Sequence, residues 1–248
     1  MLRVLTPLAA PVPVTPPLGL VFSSNPQKVT MLNEGDYVVK GPATAVTFSE
    51  AVAYAFAKEL CLAVPGCGLC WLPGQSEPYF CSKMLPGRFS IEALGLNSIS
   101  NASMVSDTIA FDIWIANTDR NLYNFVTDAI PSDDGSNSGH RHFLYAIDFE
   151  KSKVLRGEVN RFTIHNYPES EYWPSGQLGS YLDGQILEYP TEMCNKISSL
   201  SDEKIRSILE QVRIDMRMAD INWLDSAVFV LCERAGRIHD YSNEVWNG

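Results

Sequence analysis

The chain has 248 residues, enough to bury one sizeable core or two small lobes that fold together across a cleft. Hydrophobic residues make up 46% and charged residues 19%, a globular balance that excludes global disorder. With 29 acidic against 19 basic side chains, the formal net charge of −10 excludes broad binding to a phosphate backbone, although a local pocket for one nucleotide stays open.

Residues 1–22 are apolar but interrupted by Pro7, Pro11, Pro13, Pro16 and Pro17, so neither a membrane span nor a signal-peptide core is expected there. An extended arm or edge strand is. No other stretch has the apolar length that crossing a bilayer needs. Residues 21–40 read as two short strands around the turn residues Asn33, Glu34, Gly35 and Asp36. Lys40 closes the second strand, directly before the loop signal Gly41-Pro42. A helix is expected from Thr47, where Thr47-Phe48-Ser49-Glu50 matches a capping box and Val52, Phe56 and Leu60 recur on one face. Residues 68–72 and 78–81 read as two more strands around Pro73-Gly74, so the front of the chain is a small sheet carrying one helix.

The second half opens with a helical face of Val105, Ile109, Ile113 and Ala116 that runs straight into Asn117-Thr118-Asp119. Two strands are expected over 124–130 and 143–149, separated by an exposed loop at 131–140. Weak periodicity predicts mostly irregular structure over 151–195. Ile205, Ile208, Leu209 and Val212 then mark one amphipathic helix, and Leu224, Val228, Leu231 and Ala235 another. A β-rich front and an α-rich back would meet near Pro86-Gly87.

Cys67 and Cys70 have the spacing of a redox or zinc half-site, but no second pair or histidine pair completes it. Buried thiols of a cytoplasmic protein are the expectation. His140, His142, His165 and His239 show no metal-ligand spacing, and no GxSxG elbow supports a serine hydrolase.

The segment most informative about chemistry surrounds Asp119, which precedes Asn124 by five positions. The same interval separates base and metal ligand in a kinase catalytic loop: an aspartate takes the proton of an attacking hydroxyl, and the asparagine oxygen reaches magnesium one short turn later. Asp148 ends an apolar strand, where a carboxylate is costly unless paired or bound to a cation. Lys40, at the end of its own strand, suits nucleotide phosphates. Glu50 has two readings, a local cap or an ion pair with Lys40. Ser23, Ser24 and Asn25 lie in a turn whose amides and hydroxyls could face phosphates.

Together these segments resemble the HipA-like kinase family. The resemblance runs from Tyr37-Val38-Val39-Lys40 through Glu50 and Leu62-Ala63-Val64-Pro65 to Phe80-Cys81-Ser82-Lys83-Met84-Leu85 as a hinge. It continues in the segment from Ala116 to Asn124, in Ala146-Ile147-Asp148 and in the closing helices. It implies an α+β, protein-kinase-like fold with a small β-rich N-lobe over residues 1–85 and a mostly helical C-lobe over 86–248. It also implies ATP with Mg2+, Lys40 on the phosphates, Asp119 as base, Asn124 and Asp148 on the metal, and a phosphate loop at Ser23, Ser24 and Asn25. A protein Ser or Thr, the chain's own loop serines included, would be the substrate, and an antitoxin-like protein a partner. Where the family often has histidine two residues after the base, this chain has Asn121. Asn117-Thr118-Asp119-Arg120 is also similar to phosphoinositide kinases, so a lipid or small-molecule kinase is an alternative. A pseudokinase acting through a partner and an enzyme that transfers AMP are the others.

Overall fold

The computed structural model describes residues 2–14, 27–85, 96–130, 141–159, 188–219 and 221–247. The expected phosphate loop at Ser23, Ser24 and Asn25, the lobe boundary at Pro86-Gly87 and the loop at 131–140 lie outside the described residues.

The front of the chain is a six-stranded sheet. Its strands are β1 (Arg3–Val4), β2 (Val12–Pro13), β3 (Gln27–Met31), β4 (Gly35–Lys40), β5 (Cys67–Cys70) and β6 (Tyr79–Lys83), in the order β1-β5-β6-β4-β3-β2. Residues 2–14 of the proline-broken arm are extended, as the sequence predicts, and reach both ends of this sheet. β1 runs parallel to β5, and the Leu5 amide donates to the Leu69 carbonyl at 2.7 Å. The chain then crosses to β3, where the Leu8 amide donates to Thr30 and the Leu32 amide to Thr6. β2 adds antiparallel to β3. Leu5, Val29, Met31, Tyr37, Val39, Cys70, Leu72 and Cys81 form a small buried cluster of their own. Gly68 permits the arm's approach, because a Cβ there would lie 2.5 Å from the Arg3 carbonyl oxygen.

The turn between β3 and β4 uses the left-handed conformation at Asn33 and Gly35, the residue types that adopt it most readily. Helix α1 (Ala45–Glu59) begins two residues before the expected start. Its cap is Thr44, whose hydroxyl accepts from the Thr47 amide while the Thr47 hydroxyl accepts from the Thr44 amide. Thr47 is thus the inner partner of the capping box, because an equally competent threonine stands three residues upstream. Glu50 is left without a capping role.

The six cysteines are free thiols. Cys67 and Cys70 lie three residues apart on β5, so strand alternation sends them to opposite faces: Cys67 joins the larger core and Cys70 the small cluster. They cannot form one half-site.

In the second half, helix α2 (Met104–Ile115) is buried on all sides, with only Asp107 outside the buried set. It is a central helix, wider in its contacts than the single apolar face that its periodicity predicts. β7 (Phe125–Ile130) and β8 (Arg141–Ala146) form an antiparallel hairpin, so the second strand ends before Asp148. Helix α3 (Thr191–Ser198) replaces part of the expected irregular stretch. At eight residues, with only Met193, Cys194 and Ile197 buried, it is too short to show a clear period. Helices α4 (Asp202–Asp215), α5 (Leu224–Gly236) and α6 (Ile238–Asn247) close the fold. One apolar cluster joins Phe48 and Phe56 of α1 and Phe80 of β6 to Trp114 of α2, Leu209 of α4 and Leu231 of α5. Among the described residues, no helix is long and apolar enough to cross a membrane.

Candidate active site

Lys40, Glu50 and Asp148 come from a strand, a helix and a post-strand turn, and they meet at one point. The Lys40 Nζ donates to Asp148 Oδ1 at 2.8 Å, to Glu150 Oε2 at 3.1 Å and to Glu50 Oε1 at 3.3 Å. β4 delivers Lys40 beside Gly41, where the Tyr79 ring leaves no room for a Cβ. Burial opposes a charge on Lys40, but the three carboxylates outweigh it and hold the ammonium pKa well above its ordinary value.

Glu50 is almost wholly buried, at 1% exposure, and its second oxygen accepts the Phe149 amide at 2.6 Å. This one side chain therefore ties α1 both to Lys40 and to the backbone between Asp148 and Glu150. Burial pushes its carboxyl up to about 7, and the charges of Asp148 and Glu150 push the same way against the pull of Lys40. The Phe149 ring packs edge-on against Tyr54 and Phe111, so the turn has a rigid apolar root. Asp148 adopts a left-handed φ of 63°, uncommon outside glycine, Asn and Asp.

Asp119 and Asn124 belong to a loop locked by a neighbour that sequence reasoning did not single out. Arg120 is fully buried and pairs through two nitrogens with Asp112 of α2, at 2.6 and 3.1 Å. Its Nη1 donates to the carbonyls of Asn124 at 3.0 Å and of Ile147 at 2.6 Å. The guanidinium also lies over the Phe149 ring, 4.6 Å from its centroid. One arginine thus joins α2, the loop carrying Asp119 and Asn124, and the turn carrying Asp148. The signal available in the sequence was Asp112, a carboxylate inside an otherwise apolar helix, which needs a buried partner. Asn117 adds a bond from Nδ2 to Asp112 at 2.8 Å.

Helix α2 ends at Ala116 in the left-handed conformation, and the segment after Asp148 satisfies its last carbonyls. Ser152 Oγ donates to Ile115 and the Lys153 amide to Ala116. Asp119 is half-buried, and burial followed by the nearby charge of Asp148 raises its pKa, the direction a proton acceptor requires. Asn124 donates from Nδ2 to the Asp119 carbonyl at 2.5 Å, which leaves its amide oxygen as the end available to a cation. That oxygen and the Asp148 carboxylate are hard donors, and with waters and phosphate oxygens they fit what magnesium needs. Among the described residues no cluster of three or more His, Cys, Asp or Glu forms a complete cage for a metal.

Several solved structures share this fold, among them a kinase and a toxin–antitoxin complex. The Helicobacter pylori proinflammatory kinase CtkA aligns with a TM-score of 0.57 and 16% identity, over 89% of this chain and 93% of that one. The Shewanella oneidensis MR-1 toxin–antitoxin structure of HipA, HipB and operator DNA aligns with a TM-score of 0.54 and 12% identity, over 98% of this chain and 75% of the matched chain. No protein-family model matches the sequence, and no curated protein does. The likeness is one of fold, an α+β kinase-like architecture covering most of the chain, and it agrees with the resemblance to HipA-like kinases drawn from the sequence.

Proposed function

We propose that the chain is an ATP- and Mg2+-dependent phosphotransferase acting on the hydroxyl of a protein Ser or Thr. The observation that carries the reading is the meeting of Lys40, Glu50 and Asp148, residues up to 108 positions apart, beside the loop of Asp119 and Asn124. Each has the chemistry that its place in a kinase-like fold requires.

In this reading Lys40 holds phosphate oxygens of ATP and Glu50 keeps the ammonium in place. The Asn124 amide oxygen and the Asp148 carboxylate hold the magnesium, which when bound offsets charge on the phosphates. Asp119 orients the incoming hydroxyl. A bond forms between that oxygen and the γ-phosphorus, the bond from the γ-phosphorus to the bridging oxygen breaks, ADP departs and Asp119 takes the proton. Residues 1–85 act as the nucleotide-holding lobe and 86–248 as the lobe carrying the acceptor site. Ser23, Ser24 and Asn25 serve as the phosphate loop. An antitoxin-like protein is the class of partner, by analogy with the HipA and HipB assembly. Six free thiols suit a reducing cytoplasm.

Intact-mass measurement after incubation with ATP and Mg2+ tests this. A gain of one phosphate by the wild type or an added protein substrate, absent with Asp119→Ala, supports transfer. Metal-dependent ATP binding with no transfer to protein, lipid or water would instead favour a nucleotide-gated binding module. The engagement of Lys40 by three acids makes that second reading worth the comparison.

A further inference from the structure

Glu150 has no part in the transfer just described, yet its carboxylate lies on Lys40. An ammonium has three protons. Here they match three acceptors, on Glu50, Asp148 and Glu150. No proton of Lys40 is then left for a phosphate oxygen, so nucleotide can reach the lysine only if an acid withdraws. Glu50 is held from behind by the Phe149 amide at 2.6 Å and is buried. Asp148 has a second use, on the metal. The Glu150 side chain is only 15% exposed, and the hydrogen-bond partner of its carboxylate among the described residues is the lysine.

We propose that Glu150 occupies the phosphate position on Lys40 and thereby sets the affinity of the site for nucleotide phosphates. The geometry follows from the turn: the left-handed Asp148 and the anchored ring of Phe149 direct residues 148 and 150 to the same ammonium. Bound nucleotide displaces the Glu150 carboxylate, and the charge repulsion between that carboxylate and the phosphates adds to the cost of entry. The inference rests on the nucleotide reading of the site.

The test is equilibrium binding of ATP, ADP and adenosine to the wild type, Glu150→Gln, Glu150→Asp and Lys40→Ala, each checked by circular dichroism to be folded at the assay temperature. Removing the competing charge should tighten ATP and ADP by about tenfold to a hundredfold, as expected for one charge-assisted bond. Adenosine, which lacks phosphates, should bind Glu150→Gln as it binds the wild type. Glu150→Asp, with a carboxylate one methylene shorter, should fall between. Equal or weaker ATP binding by Glu150→Gln would overturn the proposal, and so would equal tightening of all three ligands, the mark of a loosened pocket. If Lys40→Ala binds ATP as well as the wild type, the nucleotide reading itself fails. If Lys40→Ala weakens ATP while Glu150→Gln does not tighten it, only the role of Glu150 fails.

Discussion

Two cations, Lys40 and Arg120, organise the two sides of the Asp148–Glu150 turn in opposite ways. Arg120 is fully buried, and its forked contacts to Asp112 and to two carbonyls join three segments of backbone. Lys40 is one-fifth exposed, and its ammonium donates to carboxylate oxygens of Glu50, Asp148 and Glu150. A planar guanidinium suits a fixed junction, whereas a compact ammonium on a flexible stem suits one that must release and rebind. The lesson is that rigidity and exchange are supplied by separate residues 80 positions apart in the chain, so each can be altered alone.

The largest expected effect is on the fixed junction. Asp112→Ala should lower stability by about 3–5 kcal/mol, because it leaves a buried arginine charge uncompensated. Combining it with Arg120→Met should recover much of that loss, a pattern that a denaturation double-mutant cycle can read. If the double variant is no better than the single one, the pair is not the unit assumed here. Next comes Asp148→Asn, on the exchanging side. It should cost about a hundredfold to a thousandfold in phosphoryl transfer, the range for losing one preorganised electrostatic contact, with little change in melting temperature. Retention of full transfer would remove Asp148 from the chemistry.

A smaller effect separates the lysine cluster by pH. Burial lifts the Glu50 carboxyl from 4.5 to about 7. Between those values the folded chain holds a proton that the unfolded chain has already released, so this contribution to stability is lost as pH rises through the window. Melting temperatures measured across that range should slope downward for the wild type and flatten for Glu50→Gln. The smallest effect concerns geometry at the fixed junction. Arg120→Lys keeps the charge but cannot bridge Asp112 and two carbonyls together, and should cost about 1–3 kcal/mol in the same denaturation assay.

The exchanging centre was the more legible of the two. Lys40, Asp119, Asn124 and Asp148 were singled out from residue type, order and spacing, and the structure brings Lys40 onto Asp148 with Asp119 close by. Glu50 was ambiguous only because Thr47 offered a capping box; Thr44, three residues earlier, resolved it. Arg120 was not found, since an arginine in a turn beside an aspartate reads as solvated unless its buried partner is known. Much of the α+β order followed from periodicity, but the parallel pairing of β1 with β5 did not. Two-residue strands paired across 65 positions (Arg3 with Gly68) carry no local pattern. Helix α3 was missed for a similar reason, having one turn of buried contacts to announce it.

The crossing of the amino-terminal arm has a consequence for self-association. The outermost strands of the sheet, β1 and β2, are two residues long, and β2 ends in Pro13. Such short borders, one of them closed by a proline, offer a poor template for strand addition, so the longer β3 and β5 behind them are shielded from pairing with another chain. A protein that docks on this region would have to recognise its side chains, and a variant that detaches the arm, such as Gly68→Val, would be expected to aggregate before it loses its helices.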